Sequence, residues 1–261
     1  MSKRSLVATL LVFLSANLSA HDFWLAANRA ADGITVKGHV GEKFPVPDSK
    51  TTPDRVDLWR VIGSRGDVTP ARNFFQDGDS LATRIVPESP GTYLGVMTIV
   101  AREIEMTGKE FTDYLREEGL DRVIEERARR SQSDQPARER YARYAKVVFR
   151  TGEGSGAHVT RPADLKAELV PSVNPASLAP GAPLSVRLLV EGQPVAGALI
   201  AAVSHNAKLE ERTGADGRAT FTVPSKGPWL LKTVHMARPA RPGEPAADWE
   251  SYWVTLAFEI E

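Results

Sequence analysis

Short alternating runs of apolar and polar residues dominate both ends of the chain. Ile34-Thr35-Val36-Lys37 and Arg55 to Ile62 alternate with period two and are bounded by Gly, Pro and Asp, which predicts strands. Ser64-Arg65-Gly66-Asp67 reads as a hairpin turn, and Pro90-Gly91 as a turn leading into a strand over Tyr93 to Met97. The stretch from His21 to about Met106 is therefore expected to be antiparallel β-structure.

The period changes at Thr107. Thr107-Gly108-Lys109-Glu110 has the form of a capping box, a hydroxyl followed three residues later by Glu. Phe111, Tyr114, Leu115, Val123 and Ile124 follow at helical spacing around Gly119. Ser133 to Pro136 interrupts this pattern, and Pro136 to Ala145 reads as a second, basic helix. Lys146 to Arg150 returns to a strand pattern. A helical hairpin over about 107–145 is thus expected as an insertion into the first β-region.

After the Gly-rich stretch Thr151 to Gly156, alternation resumes. Leu184 to Val190, Val195 to Val203, Thr213 to Val223 and Gly227 to Val234 are strand candidates, and Asp216-Gly217 between alternating runs signals a hairpin. Regular spacing with polar turns predicts a sandwich of about seven strands. The expected fold is mainly β, two antiparallel β-sandwich domains over 21–156 and 157–261, with the helical hairpin inserted in the first.

The first 20 residues differ from everything after them. Lys3 and Arg4 precede an apolar run from Leu6 to Leu14 and a small-residue segment from Ser15 to Ala20, the layout of a secretory signal. The apolar run is too short to span a bilayer. Cleavage after Ala20 would make His21 the first residue; cleavage after Ala16 is the competing site, because Leu18 stands where Ala is usual. The signal predicts a periplasmic or secreted protein, soluble once processed.

Composition narrows the chemistry. The 261 residues carry 33 Lys+Arg and 33 Asp+Glu, and losing the signal removes Lys3 and Arg4. The resulting slight acidity gives no footprint for nucleic acid. There is no cysteine, so neither disulfides nor thiolate ligands are available, and a metal would need His, carboxylate, Met or an amine. No Gly-x-Ser-x-Gly elbow, phosphate loop or dinucleotide fingerprint occurs, so neither an enzyme nor an organic cofactor is expected.

Two resemblances follow from particular segments. Gly192 to Ala198, Thr213 to Ala219 and Gly227 to Leu230 resemble transthyretin-like and carboxypeptidase-regulatory-like β-sandwiches, which speaks to fold only. The opening His21-Asp22-Phe23-Trp24-Leu25, the helix through Tyr114 to Leu120, Val234-His235-Met236 and Asp248-Trp249-Glu250-Ser251 resemble an exported bacterial family of unknown function. That family was once described as a periplasmic component of nickel or cobalt uptake (NikM-like). The resemblance covers nearly all of 21–261 and implies a metal-linked role with a membrane metal transporter as partner. It departs at Ala26-Ala27-Asn28, where the family often carries a Pro.

Five histidines are present, and none is paired at metal-motif spacing. His21 is the leading candidate ligand: freed at the N-terminus, its amine and imidazole would chelate nickel, cobalt or copper. Its other reading is an incidental residue at the cleavage site. His235, beside Met236, and His39, between Gly38 and Gly41, are the further candidates, each also readable as an ordinary sheet or loop histidine. His158 and His205 read as surface residues. The expectation is a divalent-transition-metal binding or uptake accessory protein with ligands among His21, His39 and His235. The alternative is a metal-free interaction or carbohydrate-binding module using Trp24, Trp249, Tyr252 and Trp253; aromatic residues of this kind more often fill cores.

Overall fold

A computed structural model describes residues 21–68, 70–240 and 247–261, so the expected signal segment lies outside the described residues. The chain is mainly β, as its alternation predicts. The N-terminal part forms β1 (Asp22–Ala30), β2 (Gly33–Gly41), β3 (Val56–Gly63), β4 (Gly66–Val68), β5 (Phe75–Asp77), β6 (Ser80–Ile85) and β7 (Thr92–Met106). Two helices follow, α1 (Gly108–Glu117) and α2 (Asp121–Arg129), and then β8 (Ala137–Arg150). The remainder forms β9 (Ala167–Pro171), β10 (Pro183–Val190), β11 (Gln193–Pro194), β12 (Leu199–Val203), β13 (Lys208–Arg212), β14 (Arg218–Thr222), β15 (Gly227–Ala237) and β16 (Trp249–Ile260).

An eight-stranded sheet, in the order β13-β12-β15-β16-β8-β7-β3-β4, organises everything else. It crosses the expected boundary at 156/157, because β16 pairs with β8 in the one parallel ladder among the described strands. Strand alternation then assigns its residues to two faces. On one face Leu94, Val96, Val148, Leu231, Val254, Leu256 and Phe258 pack against the small sheet of β9, β10, β11 and β14, through Leu169, Val186, Leu188 and Phe221. The opposite face is covered twice. Met97, Ala145, Val147, Leu230 and Ala257 meet the sheet β1-β2-β6-β5 through Phe23, Leu25, Val36 and Leu81. Further along the same strands, Val234, Met236, Trp249 and Trp253 meet α1 and α2 through Phe111, Leu115 and Val123.

The capping box at the start of α1 forms as read. Thr107 Oγ1 accepts from the Glu110 N–H, and the Glu110 carboxylate accepts from the Thr107 N–H at 2.9 Å. Gly119, at φ +64°, ends α1 and separates it from α2. Within α1, Phe111, Tyr114 and Leu115 share the buried stripe that fixes the helix on the sheet.

Two expectations are corrected. The predicted second helix, Pro136 to Ala145, is the first half of β8. Its Ala, Arg and Glu favour helix, but Ala137, Glu139, Tyr141, Arg143 and Ala145 fall on one face at period two, and β7 and β16 supply ladders on both edges. Tertiary pairing overrides a weak intrinsic preference. The helical insertion therefore ends near Arg130 and not at 145. Asp216-Gly217 also fails to join a hairpin: β13 pairs with β12 in the large sheet, whereas β14 pairs with β10 in the small one. Gly217, at φ +75°, instead carries the chain between the sheets, accepting from the Leu188 N–H at 2.9 Å.

Candidate functional site at the head of the first strand

The two coverings of the large sheet leave a polar belt between them, and the start of β1 lies across it. On β8 the belt holds Arg143, between Glu139 under the helices and Ala145 under the β1 sheet. On β16 it holds Thr255, whose hydroxyl donates to the Phe23 carbonyl at 2.7 Å. On β15 it holds Lys232, which binds Asp22 at 2.7 Å. Arg143 donates to the His21 carbonyl at 2.9 Å. Thus His21, Asp22 and Phe23 are anchored by three strands of the large sheet, and the regular β1–β2 ladder runs on through Ala26 to Asn28.

Asp22 is buried, and burial raises its pKa against the opposing pull of Lys232. Burial works against the Lys232 charge too, but Asp22 and Glu118 outweigh it and hold the ammonium protonated. Glu118, half-buried at the end of α1, is pushed up to about 7 by burial, opposed by Lys232 and reinforced by Asp22. Deeper under the helices, Glu139 accepts from Ser251 and, at 3.1 Å, from Tyr114. That carboxylate is raised by burial and ties α1 to β8 and β16.

His21 itself is partly exposed and enclosed by the loop after β2. Its Nδ1 lies 2.9 Å from Ser49 Oγ and 3.5 Å from Asp48 Oδ1, while Nε2 lies 3.4 Å from Glu42 Oε1. The loop is held in place by the Asp48 carboxylate, which accepts from the Glu42 N–H at 2.9 Å and from Ser49 Oγ at 2.9 Å. The Glu42 N–H bond is the main cause of a lowered Asp48 pKa, so this carboxylate is ionised at neutral pH.

The structure separates the three candidate histidines. His39 Nδ1 meets Ser80 Oγ at 2.7 Å, and its ring stacks on Trp24 with centroids 5.4 Å apart. It shares no partner with His21. His235 stacks on Tyr252 at 6.2 Å. As an odd-numbered residue of β15 it lies on the opposite face of the large sheet from Lys232, and so from the His21 belt. His158 is half-buried with no partner at Nε2, and His205 is exposed. Trp24, Trp249, Tyr252 and Trp253 are all buried and fill cores. Asp48, Glu42 and Ser49 did not stand out in the sequence. Only the Gly and Pro residues between 41 and 47 marked a turn there, and the return of Ser49 to Val40 is a tertiary bridge. Among the described residues no three His, Cys, Asp or Glu side chains form a group able to hold a metal. No helix among them is long and apolar enough to cross a membrane.

The fold and this belt define a mainly-β protein of packed antiparallel sheets whose first strand is gripped from both sides. The chain belongs to the family described as a domain of unknown function (DUF4198), which matches residues 18–237. No curated protein matches it. Among solved structures, the D0-D1 domain of intimin is similar over 92% of this chain and 97% of that one, at 14% identity and a TM-score of 0.22.

Proposed function

We propose that this is an exported transition-metal-binding protein, acting in uptake of nickel, cobalt or copper, whose site is built on His21. The observation that carries the proposal is the placement of the His21 ring between two carboxylates on its two different nitrogens. Chelation by a freed N-terminal His uses the amine and Nδ1. Asp48 is on the Nδ1 side, where it would supply a third, oxygen ligand, with Ser49 moving aside. Glu42 is on the Nε2 side, where it would accept from Nε2–H and fix the ring, the usual partnership of a metal-bound imidazole with an outer carboxylate. Because side chains alone make no metal group here, the proposal depends on cleavage after Ala20. His39 and His235 have no part in it. A membrane metal transporter is the partner this reading implies.

Mass determination of the mature N-terminus and calorimetric titration with Ni²⁺, Co²⁺ and Cu²⁺ test the proposal. Protein beginning at His21 should bind one metal, more weakly as pH falls and the ligands take up protons. Asp48→Ala should weaken binding by at least about tenfold, ~1.4 kcal/mol. An added Gly before His21 should weaken it further, because the chelating amine moves away. Equal binding by the extended protein, or no binding by the processed one, would sink the proposal.

A further inference from the structure

The belt continues past His21 toward β7 and β3, and there its charge is one-sided. Arg102 is paired with Tyr141 across the β7–β8 ladder, so the two side chains share a face. Arg143, two residues along β8, lies on the same face and over the Tyr141 ring, 5.2 Å from its centroid. Arg55 immediately precedes β3 on the other edge of β7, with one guanidinium nitrogen 3.2 Å from the Val100 carbonyl, and it lies within electrostatic reach of Tyr141. The β7–β8 register shifts between Ile99 and Arg102, immediately before this pair.

We propose that Arg55, Arg102 and Arg143, gathered around Tyr141, form a binding site for a small oxyanion bearing carboxylate or phosphate groups. Structural arginines in such a place would be expected to pair closely with carboxylates, and among the described residues none of these three makes such an ion pair. The acids whose charge reaches Arg143 are engaged elsewhere, Asp22 with Lys232 and Glu139 with Ser251 and Tyr114. Asp54, near Arg55 and Arg102, is exposed to solvent. The Arg102 side chain makes no ion pair or hydrogen bond among the described residues. The Nε atoms of Arg55 and Arg143 are buried without an acceptor. Burial, and after it the Arg102 charge, lowers the pKa of Arg55, as expected of like charges brought together. An anion would relieve that repulsion. Guanidinium forks match the geometry of carboxylate and phosphate oxygens in a way that a lone ammonium does not. Tyr141, whose ring lies beside Arg143, carries a hydroxyl able to donate to such an anion. None of the four residues is a metal ligand in the reading above, so the site stands or falls without it.

Isothermal titration of the folded chain with citrate and with inorganic phosphate, at constant ionic strength set with chloride, tests this. The wild type should show saturable one-to-one binding of at least one of the two. Tighter citrate binding identifies a carboxylate ligand, and tighter phosphate binding a phosphate one. Arg102→Ala removes an exposed side chain from a strand that its backbone ladder still holds, and it should weaken binding about tenfold or more, the size expected for a charge-assisted contact. Tyr141→Phe should weaken it less. The inference is overturned if neither anion binds the wild type up to about 10 mM. It is equally overturned if Arg102→Ala, with an unchanged circular dichroism spectrum, binds as well as the wild type.

Discussion

Acidification should act on this fold first through His39. Its ring is stacked on Trp24 and tied to Ser80, and burial, helped by Lys37 and opposed by Asp77, lowers its pKa from 6.5 to about 4. A histidine lowered in the folded state binds its proton more readily when unfolded. Its contribution is therefore complete above about pH 6.5 and is lost as pH falls toward 4. The drop from 6.5 to about 4 sets an upper limit of ~3 kcal/mol, of which about 2 kcal/mol is already lost at pH 5. His39→Asn keeps an acceptor near the position of Nδ1 for Ser80 but does not titrate. Urea unfolding of wild type and variant at pH 7 and pH 5 isolates the term, since all other titrating groups cancel in the difference. The wild type should lose about 2 kcal/mol more than His39→Asn between those two pH values. Identical losses in the two proteins would refute the reasoning, because they would mean that the ring takes up its proton in place.

Three further outcomes follow from buried or capping groups. Lys146 and Glu168 form a 2.7 Å ion pair with side chains 1% and 2% exposed, so Lys146→Met should cost ~3–5 kcal/mol in chemical denaturation by stranding the carboxylate. Adding Glu168→Gln to that variant should recover part of the loss. Glu118 has its pKa raised to about 7 by burial, so the stability it contributes is present below about pH 4.5 and fades as pH rises through 7; Glu118→Gln should accordingly raise the melting temperature relative to wild type at pH 8 and have less effect at pH 5. Thr107→Ala removes the acceptor for the Glu110 N–H and should cost about 1 kcal/mol by urea titration.

Local signals in the chain were legible wherever local physics decides the outcome. Alternation marked β3, β10 and β15, and the Thr107–Glu110 box marked the start of α1, because both patterns act within a few residues. The Pro136 to Ala145 segment misleads for a specific reason. Its composition suits a helix, and the ladders that make it a strand come partly from β16, more than a hundred residues later. Asp216-Gly217 marks a real turn, but whether a turn closes a hairpin or changes sheets depends on which partner each strand finds. The site shows the same division. His21 stood out because it directly follows the run that reads as a secretory signal. Asp48, Glu42 and the arginines around Tyr141 look like ordinary surface charges until the sheet gathers them.

The place of β16 in the large sheet has a consequence for the order of assembly. The strand at Trp249–Ile260, the last of the described elements, lies between β15 and β8. Until it is in position, β13-β12-β15 and β8-β7-β3-β4 are separate ribbons, each with an open edge able to pair with another chain. Both apolar clusters of the doubly covered face draw on β16, through Ala257 for one and Trp249 and Trp253 for the other. Closure is then a late, long-range event of the kind that slows folding. A chain cut before Trp249 should leave two sticky half-sheets and not a smaller stable protein.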